Sequence, residues 1–417
     1  SVAFGAVPYV VPGLEAIRPY RCGGPIPFAG VFEFRSPIRR VELGGVASRN
    51  ARTQSTEELL FRSTPTELPI PNEEDQQGAA VDDEDASLSE FRIEPEAIAG
   101  LNREIEDHGS QPMAHFHHQL LAVARDDPGA MARITVFTVS TNGSDRVTST
   151  VRRSLQERFG DGGKGFLPIA AGWGAQEHRD VEWTFDYWRT CIVNRGRCPL
   201  DRPGLAGVMA TNPGVGARAF FSTVDGGGSN SAVSRFELFY QAWPEGGQVS
   251  LRIDDEPPTS LDTRAERVED RVHVISVDEG PHQLRVRVGQ GRIRLYGVVM
   301  ERPGPGVVVD GLMMLGASVS MMDNHDEAHL RHQVSHRSPD LLVFWLGGND
   351  VVARAFTHDW FVGHYGRFIA RARSGRPEAS CLILSVLDKG IELNGRIRTR
   401  RRVPLVAEAQ RATAEAQ

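Results

Sequence analysis

The stretch LLVFWLGGND, residues 341–350, decides the fold class of this chain. It joins six consecutive apolar residues to two glycines, an asparagine and an aspartate. A short apolar run without alternating polar residues is typical of a strand that is buried on both faces of a parallel sheet. The reacting groups of such sheets lie just beyond the carboxyl ends of the strands. The stretch therefore predicts an α/β domain with functional side chains directly after this strand.

Strand and helix patterns alternate on both sides of this stretch. A β-branched run over 134–139 predicts a strand, and apolar residues at four-residue spacing over 147–159 predict the helix that follows it. The glycine-rich turn at 160–163 ends that helix. This order favours a flavodoxin-like, three-layer α/β/α domain. Further helices are expected at 113–125, 324–336, 358–373 and 406–416, and a further strand at 381–387.

The middle of the chain has a different pattern. Short alternating segments such as 236–240, 249–253 and 284–288 are separated by glycine-rich turns, which is typical of an antiparallel β-sandwich. We therefore expect a jelly-roll-like β-sandwich that interrupts the α/β domain. The expected segments are an N-terminal arm at 1–50, an acidic disordered linker at 51–95, the first part of the α/β domain at 96–178, the inserted sandwich at 179–302 and the second part of the α/β domain at 303–417.

The composition is that of an ordinary folded protein of 417 residues, with 40% hydrophobic and 24% charged residues. The formal net charge of -7 gives no electrostatic reason to bind phosphate backbones, so nucleic acid is not an expected partner. Residues 2–11 (VAFGAVPYVV) fit the tail of a signal or a membrane anchor that begins upstream of residue 1. This interpretation predicts export to the periplasm, the cell envelope or the extracellular space. A plain apolar arm is the alternative.

Two of the four cysteines, Cys191 and Cys198, flank a turn-like loop. A disulfide would close this loop in an oxidising compartment, and free thiols at both positions are the alternative. The chain contains no CxxC pair, which argues against a zinc ribbon.

Three loops that follow apolar runs carry candidate catalytic groups. Ser140 follows the first strand, Gly316 follows an apolar run that ends at Leu315, and Asn349 follows the strand over 341–346. A serine hydroxyl, exposed backbone amides and an asparagine amide together supply a nucleophile and an oxyanion hole, which acyl transfer requires. In the alternative interpretation, Ser140 only caps the helix that follows it.

These loops resemble the sequence blocks of the SGNH hydrolase family, a branch of the GDSL-like lipases and esterases. Residues 137–141 (FTVST) lie where the family carries Gly-Asp-Ser, and residues 347–350 (GGND) match its third block. Residues 152–166 (RRSLQERFGDGGKGF) are similar to bacterial members with an inserted β-sandwich, and the resemblance covers residues 97–417. It implies Ser140 as nucleophile and Gly316 and Asn349 as oxyanion donors, with Gly347, Gly348 and Asp350 as supporting residues.

Two parts of the family pattern differ in this chain. Thr138 and Val139 replace the Gly and Asp that precede the nucleophile, and the Asp-x-x-His block that supplies the general base is missing. The last histidine is His364. The segment 326–329 has the Asp-x-x-His spacing but follows the second block on a predicted helix. We interpret its histidine, together with His332 and His336, as part of a solvated helix face, with metal ligation as the alternative.

The resemblance implies a serine esterase that hydrolyses O-acyl, chiefly O-acetyl, esters of a carbohydrate or cell-wall polymer, without a cofactor or a metal. A serine without an imidazole base is a poor nucleophile, so low activity is expected of this chain. The alternative is a non-catalytic pseudoenzyme that binds a glycan or serves as a scaffold. The aromatic residues near the start of the insert would either stack on sugar rings or pack in the sandwich core; they are Trp173, Trp183, Tyr187 and Trp188.

Overall fold

The computed structural model describes residues 105–107, 111–174, 176–223, 231–302, 304–353, 355–393 and 396–417. The arm expected at 1–50 and the linker expected at 51–95 lie outside these residues. The described helices are α1 (Ala114–Ala124), α2 (Arg146–Phe159), α3 (Glu327–Arg337), α4 (His358–Arg373) and α5 (Arg402–Glu415). The described strands are β1 (Met131–Thr138), β2 (Gly163–Pro168), β3 (Glu182–Asp186), β4 (Arg189–Ile192), β5 (Val208–Thr211), β6 (Arg218–Ser222), β7 (Val233–Ala242), β8 (Gln248–Ile253), β9 (Thr259–Asp262), β10 (Glu269–Gly280), β11 (Gln283–Gln290), β12 (Arg294–Glu301), β13 (Gly306–Met313), β14 (Leu341–Trp345), β15 (Ser380–Ile383), β16 (Gly390–Leu393) and β17 (Arg396–Thr399). None of these helices has both the length and the apolar character that crossing a membrane requires.

Four strands form a parallel sheet in the order β13–β1–β14–β15. Numbered along the chain, this is the order 2-1-3-4 of a flavodoxin-like doubly wound sheet. Thr138 at the end of β1 lies opposite Met313 of β13 and Trp345 of β14. The loops after these three strands therefore leave the sheet at the same edge.

Alternate residues of the parallel strands face two different helical layers, because successive side chains of a strand point to opposite faces. On one face, Ile134 packs in a cluster with Phe116 of α1 and Leu155 of α2. On the other face, the rings of Phe137 and Phe344 stack with their centroids 5.4 Å apart and belong to a cluster that includes α3, α4 and α5. This is the three-layer α/β/α arrangement that the sequence predicts.

The middle of the chain folds into two antiparallel sheets that share one apolar core. One sheet has the order β10–β7–β12–β5–β4, with β2 also paired to β12, and the other has the order β3–β6–β11–β8–β9. Residues of both sheets, among them Phe221 and Phe236, fill the core between them. Because β2 begins at Gly163, the sheet of the insert includes a strand that lies before residue 179.

A buried ion network joins the insert to the α/β domain. Arg337 of α3 donates to Asp310 of β13 at 2.7 and 3.0 Å and to Glu301 of β12 at 2.5 Å. Arg133 of β1 donates to both oxygens of Glu301 at 2.9 Å. Burial acts to raise the pKa of Glu301, but Arg337 and Arg133 outweigh it and hold this pKa at about 2. The network therefore keeps the Glu301 carboxylate ionised inside the protein.

Candidate functional site

Ser140 lies just beyond the central strand of the parallel sheet. It is the first residue of a 3-10 segment, Ser140–Asp145, which connects β1 to α2. The residue is exposed, and within the described chain neither its hydroxyl nor its backbone amide makes a hydrogen bond. Both groups are therefore available to a bound substrate.

Asn142, rather than Ser140, caps the helix that follows. Its side-chain oxygen accepts from the backbone amides of Val147 at 3.1 Å and Thr148 at 3.0 Å, and its nitrogen donates to the Thr148 hydroxyl at 2.8 Å. The interpretation of Ser140 as a helix cap is therefore wrong. Ser144 and Asp145 have left-handed φ values of 56° and 54°, which are uncommon for residues other than glycine and mark a sharply bent connection.

Gly316 forms a tight turn three residues beyond β13. Its φ of 75° lies in the left-handed region that favours glycine. Its backbone amide has no hydrogen-bond partner among the residues that the structure describes. The neighbouring carbonyl of Leu315 accepts a hydrogen bond of 2.5 Å from the side chain of Asn194, which belongs to the insert.

The loop that carries Asn194 is closed by a disulfide between Cys191 and Cys198, whose Cα atoms are 5.6 Å apart. Of the two alternatives for these cysteines, the structure thus contains the disulfide. A second contact fixes the same loop, because the Asn324 side chain donates to the Val193 carbonyl at 2.9 Å. The insert therefore supports the turn at Gly316, a role that the local sequence of the loop does not indicate.

Asn349 and Asp350 connect the loop after β14 to the loop after β13. The Asn349 side-chain nitrogen donates to the Ala317 carbonyl at 2.8 Å. Since a carbonyl oxygen only accepts, this contact sets the orientation of the amide and leaves its second N–H for another acceptor. The Asp350 carboxyl group accepts from the backbone amide of Val319 at 3.2 Å. The two candidate oxyanion loops are thus bound directly to each other.

Asp350 is fully buried, and this burial raises the pKa of its carboxyl group to about 6. The backbone amide of Val319 and the nearby Lys389 ammonium act in the opposite direction but do not offset the loss of solvent. The carboxyl group therefore titrates close to neutral pH.

Gly347 and Gly348 are held from the C-terminal part of the chain. Gly347 has a φ of 109°, and a side chain there would come within 3.1 Å of the Gln410 amide on α5. Gln410 donates to the Leu346 carbonyl at 2.7 Å and accepts from the Val386 amide at 2.8 Å, which joins the ends of β14 and β15. Lys389 donates to the Gly348 carbonyl. Sequence patterns do not identify Gln410 or Lys389, because each contacts the loop from a distant part of the chain.

The segment 326–329 serves the structure of α3. Asp326 caps this helix by accepting from the His329 backbone amide at 2.8 Å. The His329 ring is buried, accepts from the Gly204 amide at 3.0 Å and therefore donates from Nδ1 to Asp270 at 2.8 Å. The expectation of a solvated face is wrong for His329, because the insert covers it. His336 contacts Glu237 of the insert at 3.1 Å.

One group of side chains, which includes the last residue of the segment that begins at Ser140, has the residue types of a metal site. Ligand atoms of Asp145, His178 and Asp180 lie within 4.8 Å of one another. The fully buried Arg152, however, donates to both oxygens of Asp145 at 3.1 Å and also to Asp180. Burial and the Arg152 charge lower the pKa of His178 to about 4. Arg153 also donates to Asp180 at 2.8 Å, so two guanidinium groups balance the two carboxylates, and a further cation there would meet their repulsion.

Comparison with solved structures shows a likeness in fold. The chain is similar to a structure described as "Peptidoglycan O-acetylesterase in action", with a TM-score of 0.62 and 18% identity over 75% of this chain and 83% of the other. Family two carbohydrate esterases from Cellvibrio japonicus and Clostridium thermocellum reach TM-scores of only 0.22 and 0.21, at 12% identity, over 60% and 50% of this chain and 84% and 79% of theirs. No family model matches the chain, and no curated protein does. The likeness to the first of these structures is one of fold, and it agrees with the α/β domain and β-rich insert that the sequence predicts.

Proposed function

We propose that this chain is an SGNH-type serine esterase that hydrolyses O-acyl, chiefly O-acetyl, esters of a carbohydrate or cell-wall polymer. The observation that carries the proposal is the arrangement after the three neighbouring parallel strands. It combines the exposed Ser140, the unoccupied backbone amides of Ser140 and Gly316, and the Asn349 amide bound to the Gly316 loop. The fold likeness to a peptidoglycan O-acetylesterase supports the same class of reaction.

In the proposed reaction, the Ser140 hydroxyl oxygen bonds to the ester carbonyl carbon, and the carbonyl electron pair moves onto its oxygen. The backbone amides of Ser140 and Gly316 and the Asn349 side chain stabilise this oxyanion, and each such donor is worth about 10²–10³ in kcat. Collapse of the intermediate breaks the bond to the sugar oxygen, which takes up the proton that Ser140 lost and leaves as the alcohol, and acyl-Ser140 remains. Water then hydrolyses the acyl group and regenerates the serine.

Ser140 must lose its proton as it attacks, and a base has to accept that proton. In the described part of the chain, no histidine is hydrogen-bonded to Ser140. His364 contacts Asp323 at 2.6 Å, and His329 contacts Asp270 at 2.8 Å. We therefore expect slow turnover by these residues alone, and we expect imidazole added to the buffer to accelerate the Ser140-dependent reaction.

Hydrolysis of p-nitrophenyl acetate by the chain and by Ser140→Ala tests the proposal. The variant should react at the rate of the buffer alone, and imidazole should raise the rate of the parent protein above that of the variant. Ser144→Ala is the matched control, since Ser144 lies in the same connection and should keep the parental rate. Equal rates for parent and Ser140→Ala, with and without imidazole, would contradict the esterase proposal.

Non-catalytic glycan binding is the second candidate. It is favoured by the same observation that no described histidine is hydrogen-bonded to Ser140. A binding protein should show no turnover in either the parent or Ser140→Ala, while both retain the same affinity for a glycan. The hydrolysis and binding measurements together therefore separate the two candidates.

We also propose that the chain acts outside the cytoplasm. Disulfides such as Cys191–Cys198 persist in oxidising compartments and are rare in the cytosol. Recovery of the native protein from the periplasmic or medium fraction is the expected result. Recovery from the cytosol alone, with both thiols free, would contradict it.

A further inference from the structure

The outer surface of one sheet of the inserted sandwich carries a cluster of arginines. The sheet has the order β3–β6–β11–β8–β9. In β11 the side chains of Leu284, Val286 and Val288 are buried in the core, so the residues between them point outward. Directly opposed residues of antiparallel strands share one face. The arginine face is the outward surface shared by Arg218 of β6, Arg252 of β8, and Arg285 and Arg287 of β11.

The strand register places these arginines directly opposite one another. Arg285 is opposite Arg252, and Arg287 is opposite Arg218. Like charges that are directly opposed across two strands destabilise a sheet. Folding alone therefore does not favour this arrangement, whereas a bound anion would offset the repulsion.

The two outer arginines of the cluster have acidic partners that are exposed. Arg218 donates to Asp186 of the neighbouring β3 at 2.7 Å, and Arg252 pairs with Asp255 at 3.1 Å. Ion pairs between solvent-exposed side chains contribute little free energy. An anionic ligand can therefore compete with both carboxylates.

The two central arginines have no ion pair with any residue that the structure describes. Arg285 donates to the Asp254 carbonyl at 2.8 Å, and its guanidinium lies over the Phe220 ring, 5.4 Å from the centroid. Arg287 is exposed and makes no hydrogen bond within the described chain. The Arg287 guanidinium is thus open to a ligand, beside a second one whose charge is not neutralised.

The surroundings of the arginines distinguish between classes of partner. The outward residues of β6, β8 and β11 include no acidic residue and no exposed large aliphatic side chain. A membrane surface is therefore not favoured, because interfacial binding needs apolar side chains that insert. A nucleic acid is not favoured either. The Phe220 ring lies beneath Arg285 and offers no open surface for stacking bases, and a DNA groove admits a helix or a two-stranded ribbon but not a five-stranded sheet.

A sugar acid fits the same surface. A guanidinium group binds a carboxylate through two parallel hydrogen bonds. Hydroxyl groups adjoin the arginines, because Ser250 is opposite Arg287 and Ser260 is opposite Ser250. Side-chain hydroxyls both donate to and accept from sugar hydroxyls.

The four aromatic residues near the start of the insert contribute little to this surface. Trp173 is buried, and Trp183 and Trp188 pack against the sandwich core. Tyr187 is 67% exposed. Recognition of a glycan by the insert therefore depends on charge more than on aromatic stacking.

We infer that the arginine face binds a carboxylate-bearing polysaccharide, with Arg285 and Arg287 as the principal cations. The inference rests on the proposed function only in identifying this polysaccharide with the ester-bearing substrate, which would then be acidic. The insert thus has a binding function of its own. The net charge of the whole chain does not indicate it, because the arginines are concentrated on one face.

Calorimetric titration of the parent chain with tetragalacturonic acid, which has four α-1,4-linked sugars with one carboxylate each, tests the inference. Maltotetraose, a neutral α-1,4-linked tetramer, should bind at least about tenfold more weakly. Arg287→Gln should weaken tetragalacturonate binding by about tenfold or more. Arg287→Lys should weaken it less, because lysine keeps the charge but loses the paired hydrogen bonds. Both changes affect an exposed side chain without a described partner, so the fold should be kept.

Arg267→Gln is the matched control, since Arg267 is an exposed arginine of the insert outside the arginine face and its loss should leave the affinity unchanged. Tripolyphosphate provides a comparable negative charge without sugar hydroxyls and should bind more weakly than tetragalacturonate. Absent binding of tetragalacturonate, equal affinity in the Arg287 and Arg267 variants, or binding of tripolyphosphate that is as tight or tighter would overturn the inference. Arg287-dependent binding by a protein whose hydrolysis of p-nitrophenyl acetate does not depend on Ser140 would sustain the inference and contradict only the esterase proposal.

Discussion

Asp350 is a fully buried carboxyl group that connects two candidate loops, and its ionisation should reduce stability at neutral pH. Burial raises its pKa to about 6 from an ordinary value of 3.8. A group whose pKa rises on folding contributes most to stability below its unfolded pKa, and this contribution is lost as the pH rises through the folded pKa. A difference of about 2 between the two pKa values corresponds to about 3 kcal/mol. Asp350→Asn should therefore gain stability relative to the parent protein as the pH rises from 4 to 7.

Urea unfolding of parent and variant at several pH values in this range measures the effect as a difference in the free energy of unfolding. Asp359→Asn is the control, because Asp359 is fully exposed on α4 and should show no comparable trend. A difference between parent and Asp350→Asn that stays constant across the range would show that folding does not raise this pKa.

Individual site residues could be predicted from the sequence where the end of an apolar run marks the end of a strand. Ser140 and Asn349 follow strands whose apolar runs are evident, and the structure has both residues in the loops that leave the ends of those strands. The residues that hold the site loops lack such a signal. Asn194 contacts Leu315 across 121 positions of the chain, and a local pattern carries no information about a partner at that distance.

The disulfide-closed loop over 191–198 is the element of the insert that supports the turn at Gly316. Replacing both Cys191 and Cys198 by serine should lower the free energy of unfolding by about 2 to 3 kcal/mol, because the unfolded chain is no longer constrained by a loop of this length. The loop should also become less ordered and loosen its contact with Leu315. Amide hydrogen exchange of residues 313–319 should then become faster.

Cys381→Ser controls for the loss of a thiol, since Cys381 is the free cysteine of the described chain. Asn194→Ala should accelerate exchange over 313–319 while the disulfide stays intact. A double-serine variant that loses stability without faster amide exchange at 313–319 would show that the disulfide stabilises the insert but does not support the candidate site.

Whole helices and strands could be predicted where their buried residues are apolar and regularly spaced. The helix expected at 358–373 has those bounds as α4. In α2 the four-residue spacing identified the helix, but its buried face includes Thr148 and Arg152 in addition to Leu155 and Phe159. An arginine counts as polar in any periodic pattern. Arg152 is buried because Asp145 and Asp180 pair with it, and Asp180 lies outside the helix.

For the whole molecule, changes in pattern along the chain were sufficient to predict an α/β domain interrupted by a sandwich. They did not predict how the two parts contact each other. The face of α3 that carries His329 reads as solvated because its sequence is polar, yet Asp270 of β10 pairs with it from the insert. Whether a polar helix face is covered depends on strands that are distant in the chain. Hydrophobic periodicity therefore does not predict an interface made of polar and charged groups.

The Arg337 network is the part of that interface on which the stability of the whole molecule should depend most. Arg337→Leu would leave the buried Glu301 and Asp310 carboxylates without their main partner. Removing one member of a buried ion pair costs about 3–5 kcal/mol, so urea unfolding should show a loss of that order. Arg331→Leu, an exposed change on the same helix, should alter the free energy of unfolding by about 0.5 kcal/mol or less. Similar losses in both variants would mean that the insert and the α/β domain are held together mainly by apolar contacts, and that the buried charges contribute little.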